Sequence, residues 1–150
     1  MKKVYFLLFI AVAIIVLTVF MVFGPAFDKS NYSSKVAKYI SDALEQDNLT
    51  AEYHDDVNTL NSRYADGLLR VLTRGVSELK NVNAPPRVYD DKLTVFFGDV
   101  ILNVYCEDRK VDTVVMEYIV DGKSKCQSLS GYAAFRWMLD VTGFEAAESN

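Results

Sequence analysis

Hydrophobic residues follow three rhythms along this chain, and each predicts a different kind of element. From Val4 to Phe23 they are continuous: VYFLLFIAVAIIVLTVFMVF contains no charge, no Gly and no Pro. At about 1.5 Å per residue a helix over that run is roughly 30 Å long, the thickness of a bilayer's hydrocarbon core. From Tyr32 the spacing becomes three and four. Tyr32, Val36, Tyr39, Ile40, Ala43 and Leu44 share one helical face, with Lys35, Lys38, Asp42 and Glu45 opposite. Ser30 or Asn31 caps that helix and Gln46-Asp47-Asn48 ends it. The same spacing predicts a second, longer helix from a cap at Thr50 to Lys80. Its stripe is Tyr53, Val57, Leu60, Tyr64, Leu68, Val71, Leu72, Val76 and Leu79.

Beyond a turn over 81–86 the period falls to two. Residues 93–97, 100–106, 111–120 and 123–129 read as strands, joined at Gly98-Asp99, at a polar turn over 107–110, and at Asp121-Gly122, a strong hairpin signature. Ser130 then caps a short helix carrying Tyr132, Phe135, Trp137, Met138 and Leu139, which Gly143 stops. The expected fold class is therefore α+β: an N-terminal transmembrane helix, two amphipathic helices, an antiparallel meander of about four strands, and a short C-terminal helix. Residues 1–27 form the membrane anchor and 28–150 a single extramembrane α+β domain.

Lys2 and Lys3 before the apolar run also suit a secretory signal peptide, with Gly24-Pro25-Ala26 offering a cut after Ala26 and a secreted domain. Length argues for retention, because signal h-regions are about 7–15 residues and this run is 20. Positive charge flanks both ends, at Lys2 and Lys3 and at Lys29, Lys35 and Lys38. A short basic N-terminus inside, with the bulk domain periplasmic or extracellular, is the expected topology.

Composition adds two exclusions. At 51% hydrophobic and 24% charged, the chain is globular in kind rather than disordered. Setting aside Lys2 and Lys3, the rest carries 14 basic against 20 acidic residues, a net charge near −6. A domain so acidic lacks the cationic footprint that binding nucleic acid or anionic lipid requires, and nucleic acid is not an expected partner.

Candidate chemistry is sparse. Glu52, His54, Asp55 and Asp56 make the one cluster with a ligand-like composition, and His54 is the only histidine. Adjacent helical residues point about 100° apart, so these four read more simply as acids complementing a helix N-terminus than as a metal site. A Ser-His-Asp arrangement would have to use His54, and no Gly-x-Ser-x-Gly nominates its serine. No cofactor motif, metal site or catalytic residue is assigned. Cys106 and Cys126 invite a disulfide, but a simple meander holds them on the order of 20 Å apart, so two free thiols are expected. Gly67 and Gly75 each cost about 1 kcal/mol inside a helix relative to Ala, so either the helix breaks near Gly67 or the two glycines form a candidate interaction face where another backbone comes close.

A hydrophobic N-terminal helix, an α+β domain with an antiparallel sheet and a late cysteine pair are similar in outline to type IV pilins. The chain departs from their pattern: it lacks a Gly-Phe processing site before the hydrophobic helix and a Glu five residues into the mature chain, since Val4 to Phe23 follows Lys3 directly and contains no acid. The expected function is a single-pass, non-enzymatic protein-binding component of a cell-envelope complex of secretion, conjugation, division or lysis type. A pilin-like or pseudopilin-like structural subunit is the alternative.

Overall fold

The computed structural model describes residues 31–74, 79–108, 113–130 and 134–144. The apolar run from Val4 to Phe23 lies outside them, and among the described residues no helix is long and apolar enough to cross a membrane.

Three helices lie against one face of a seven-stranded antiparallel sheet. Helix α1 covers 31–45. A hairpin follows, β1 (Leu49–Tyr53) and β2 (Asp56–Thr59), then α2 (Ser62–Arg74). The remaining strands are β3 (Lys80–Val82), β4 (Asp91–Phe97), β5 (Val100–Cys106), β6 (Thr113–Val120) and β7 (Lys123–Ser130), and α3 (Ala134–Asp140) closes the order. Spatially the strands run β2-β1-β4-β5-β6-β7-β3, with both ends of the sheet occupied by short strands. Short edges limit unwanted pairing with other chains.

Alternation builds the core. Leu93, Val95, Leu102, Val104, Val114 and Met116 project to the helical side and are at most 1% exposed. Val36, Ile40 and Ala43 of α1, Leu68 and Leu72 of α2, and Met138 and Leu139 of α3 pack onto them. Each fully buried aliphatic side chain contributes about 1.5–3 kcal/mol.

Helix ends are set by local chemistry. Asp47 (φ 52°) stands two residues past the end of α1, with Asn48 N donating to Ala43 O and Asp47 N to Leu44 O. That is a Schellman motif with aspartate where glycine is usual. Gly143 (φ 80°) repeats it after α3, where Phe144 N donates to Leu139 O. Asn61 caps α2 by accepting from Arg63 N and Tyr64 N.

Two expectations about the fold are overturned. The helix from Thr50 to Lys80 does not exist: its first third is the β1–β2 hairpin and only Ser62–Arg74 is described as α-helix. Tyr53, Val57, Leu60 and Tyr64 have helical spacing, but Leu49 (1% exposed) and Ala51 (0%) alternate into the core opposite Phe97 and Val95. Tertiary pairing overrode a spacing that arose by coincidence. Val57, counted in the helical stripe, is 62% exposed on the edge strand. The second correction is to the sheet, which has seven strands rather than about four, because β1, β2 and β3 join the meander. Among the described residues, strand content accordingly exceeds helix content.

Candidate functional site

The sheet has a second face, and among the described residues no helix covers it. The connection over 83–90 runs from β3 at one edge to β4, past β7, β6 and β5. Tyr89 on it stacks edge-on against Tyr105, with ring centroids 5.1 Å apart, which places the connection over one half of that face. The other half carries Phe96, Ile101 and Ile119, in register across β4, β5 and β6 and each half-buried.

Directly below that apolar row runs a polar one: Thr94, Asn103, Glu117 and Cys126 face one another in order across four strands. Thr94 Oγ1 donates to Asn103 Oδ1 at 3.0 Å, and Asn103 Nδ2 donates to Glu117 Oε2 at 3.0 Å. Tyr105 OH donates to the same oxygen at 2.8 Å, while Ser124 Oγ donates to Oε1 at 2.8 Å. Burial pushes the Glu117 carboxyl up. Hydrogen bonds from Ser124, Asn103 and Tyr105, aided by the charge of Lys92, outweigh burial and hold it below the ordinary glutamate range. Glu117 is thus an ionised, fully bonded carboxylate in the middle of a sheet. Both of its oxygens already accept, so its chemistry is that of a fixed negative centre and not of a proton acceptor for substrate.

The cluster proposed from sequence is rearranged. Glu52, His54, Asp55 and Asp56 are not a helical first turn; they form the end of the β1–β2 hairpin, with His54 at φ 54°. His54 Nε2 lies 3.1 Å from Oδ1 of Asp91, a buried residue at the start of β4, and Tyr53 OH donates to the same oxygen at 3.1 Å. Tyr53 in turn packs against Phe135 and Phe144. The hairpin end is thereby fastened to β4 and to the C-terminal segment. Among the described residues no three His, Cys, Asp or Glu side chains converge as metal ligands.

Cys106 and Cys126 are both buried, and no disulfide joins them. Cys106 pairs with Val114 and Cys126 with Glu117, so the two thiols stand on opposite faces of the sheet with β6 between their strands. Gly67 lies against the domain's own C-terminal segment: a Cβ there would stand 3.0 Å from Val141 Cγ1. Gly75 lies outside the described residues.

Glu117, Asn103 and Tyr105 were not singled out from sequence, although a signal was available. Asn103 and Glu117 interrupt otherwise apolar strands at positions whose parity is opposite to that of Val104 and Met116. A polar residue at the centre of each of two neighbouring strands is the pattern of a buried cross-strand pair.

Burial also marks a second pair of groups. Tyr32 and Tyr118 hydroxyls lie 2.8 Å apart between α1 and β6. Burial raises Tyr32 to about 12, although its bond to Tyr118 pulls the other way. Burial raises Tyr118 too, and burial together with the bond to Glu117 raises Tyr105. Neutral phenols favoured by the fold stabilise it fully below about 10, the unfolded value, and that contribution is lost as pH climbs through the folded values. Absorbance titration of the nine tyrosines should show a late class that ionises only as the domain unfolds in alkali. Tyr118→Phe should remove one member of it; an unchanged late class would place Tyr118 in contact with solvent.

Comparison with family models, with curated proteins and with solved structures finds no match for the chain.

Proposed function

We propose that the chain is a single-pass membrane-anchored, non-enzymatic protein-binding component of a cell-envelope complex, its folded domain on the periplasmic or extracellular side. The carrying observation is the helix-free sheet face, where Phe96, Ile101 and Ile119 line up across three strands without a covering helix among the described residues. Apolar side chains at the centre with a polar surround are the anatomy of a protein interface. Thr94, Asn103 and Glu117 supply one side of that surround and lock the strands beneath it, so little order has to be created on binding. The uncharged run from Val4 to Phe23 supplies the tether, and contains neither a small-xxx-small pair nor an intramembrane charge by which spans select partners.

The test compares two full-length variants in native membranes by crosslinking and mass spectrometry. Replacing residues 4–23 with an unrelated single-pass span should leave the crosslinked partner unchanged. Ile101→Thr with Ile119→Thr keeps the β-branched shape that suits a strand, and should reduce capture at least tenfold. Near-ultraviolet circular dichroism checks that the domain is still packed. Loss of capture on the anchor exchange alone, at normal abundance, would put specificity in the membrane and overturn the reading.

A further inference from the structure

The N-terminal part of α1 and the β6–β7 hairpin border an open pocket of about 350 Å³, near the lower end of the range, roughly 300–1,000 Å³, typical of ligand sites. Its chemistry is unlike that of the rest of the domain. Lys35, Lys123 and Lys125 line it, with Asp121 as the one carboxylate among them and the Tyr32–Tyr118 hydroxyl pair alongside. Lys123 and Lys125 alternate along β7, so both point to the helical side, where Lys125 pairs with Tyr118. None of the three lysines forms an ion pair among the described residues, whereas Lys38, one turn further along α1, is bridged to Asp42. Three ammonium groups without an ion-pair partner among the described residues, set against Asp121 as the one carboxylate of the lining, give this cavity a net positive charge in a domain that is acidic overall.

We propose that this pocket takes the phosphate of an anionic phospholipid headgroup and docks the domain against the bilayer that holds its anchor, an inference that rests on the anchor reading given above. Lysines provide charge and donors for the phosphate, and the tyrosine hydroxyls offer further hydrogen-bonding capacity beside it. Tether length selects the lipid over other phosphates. Only residues 24–30 separate Phe23 from Asn31, so at no more than about 3.6 Å each the pocket stays within roughly 30 Å of the membrane surface. A weak headgroup contact then becomes an intramolecular one, favoured by effective concentration. Screening over about 8 Å at physiological ionic strength means that the domain's net negative charge, spread over its whole surface, opposes contact less than the pocket's lysines favour it.

Full-length protein is reconstituted in nanodiscs of phosphatidylcholine alone or with about one third phosphatidylglycerol, and amide exchange is followed over 31–39 and 118–127. The anionic discs should slow exchange in both segments together. With roughly fivefold per lysine near an anionic surface, Lys35→Ala, Lys123→Ala and Lys125→Ala combined should weaken docking about a hundredfold and abolish the difference. The corresponding triple Lys→Arg variant should keep it. Protection by inorganic phosphate in phosphatidylcholine discs, with none from phosphatidylglycerol, would make the pocket a soluble-anion site and overturn the proposal. Equal exchange in both lipids, with the chain still in the discs, would overturn it alone. A chain that elutes apart from the discs would overturn the anchor and the proposal with it.

Discussion

Glu117→Leu should cost the domain about 2–5 kcal/mol, read as a shift in the urea midpoint of the full-length chain followed by near-ultraviolet circular dichroism. The leucine fits among the apolar neighbours, but it strands three donors. Asn103 Nδ2 and Tyr105 OH are buried with it, and Ser124 Oγ alone can turn to water. Each buried donor left without a partner costs about 1–3 kcal/mol. Glu117→Gln keeps one acceptor oxygen and should lose roughly 1–2 kcal/mol, since it forfeits the charge assistance of those bonds. The pH dependence separates charge from shape. Glu117 is held below its ordinary value of 4.5, so its contribution is complete above that pH and is lost as pH falls through the lower folded value. The stability difference between the native chain and Glu117→Gln should therefore be constant near neutrality and shrink below about pH 4. A difference that persists unchanged into stronger acid would show that the carboxylate is not held ionised.

The same network marks how far the sequence can be read. Period-two alternation from Leu93 onward locates β4 to β7, and Asp121-Gly122 closes β6 onto β7 as a two-residue turn with both residues at positive φ. That stretch is legible because each strand pairs with its chain neighbour, so local signals and final contacts coincide. The N-terminal hairpin is not legible in this way. β1 pairs with β4, some forty residues on, and that register sets Ala51 beside Val95 on the face the helices cover. Nothing within 49–59 announces that partner, while a chance spacing of four and three announces a helix. β3 is harder still: three residues, Lys80–Val82, become a strand solely by joining β7 at the far edge. The site shares this property. Thr94, Asn103, Glu117 and Ser124 are spread over 31 positions of sequence, and only the register assembles them.

Gly67→Leu should destabilise the domain by about 1–3 kcal/mol, the cost of forcing extra methylenes into a packed contact. Helix propensity alone predicts the opposite, since glycine within a helix costs about 1 kcal/mol relative to alanine. Val141 decides the sign. A Cβ on Gly67 would stand 3.0 Å from Val141 Cγ1 and 3.1 Å from Val141 Cβ, so any side chain must push back the turn that follows α3. That turn is held by Thr142 Oγ1 donating to Met138 O and by Phe144 N donating to Leu139 O, and both Met138 and Leu139 are core residues. Displacing it loosens the α2–α3 contact and carries the strain into the core. Gly67→Ala should fall near neutrality, its propensity gain offset by the close approach to Val141. Denaturant unfolding and partner crosslinking on the same variants distinguish the two meanings of this glycine. If Gly67 serves packing, Gly67→Leu lowers the unfolding midpoint and reduces capture only as far as folded protein is lost. Full stability with capture abolished would instead return Gly67 to an intermolecular face and remove Val141 as its reason for being small.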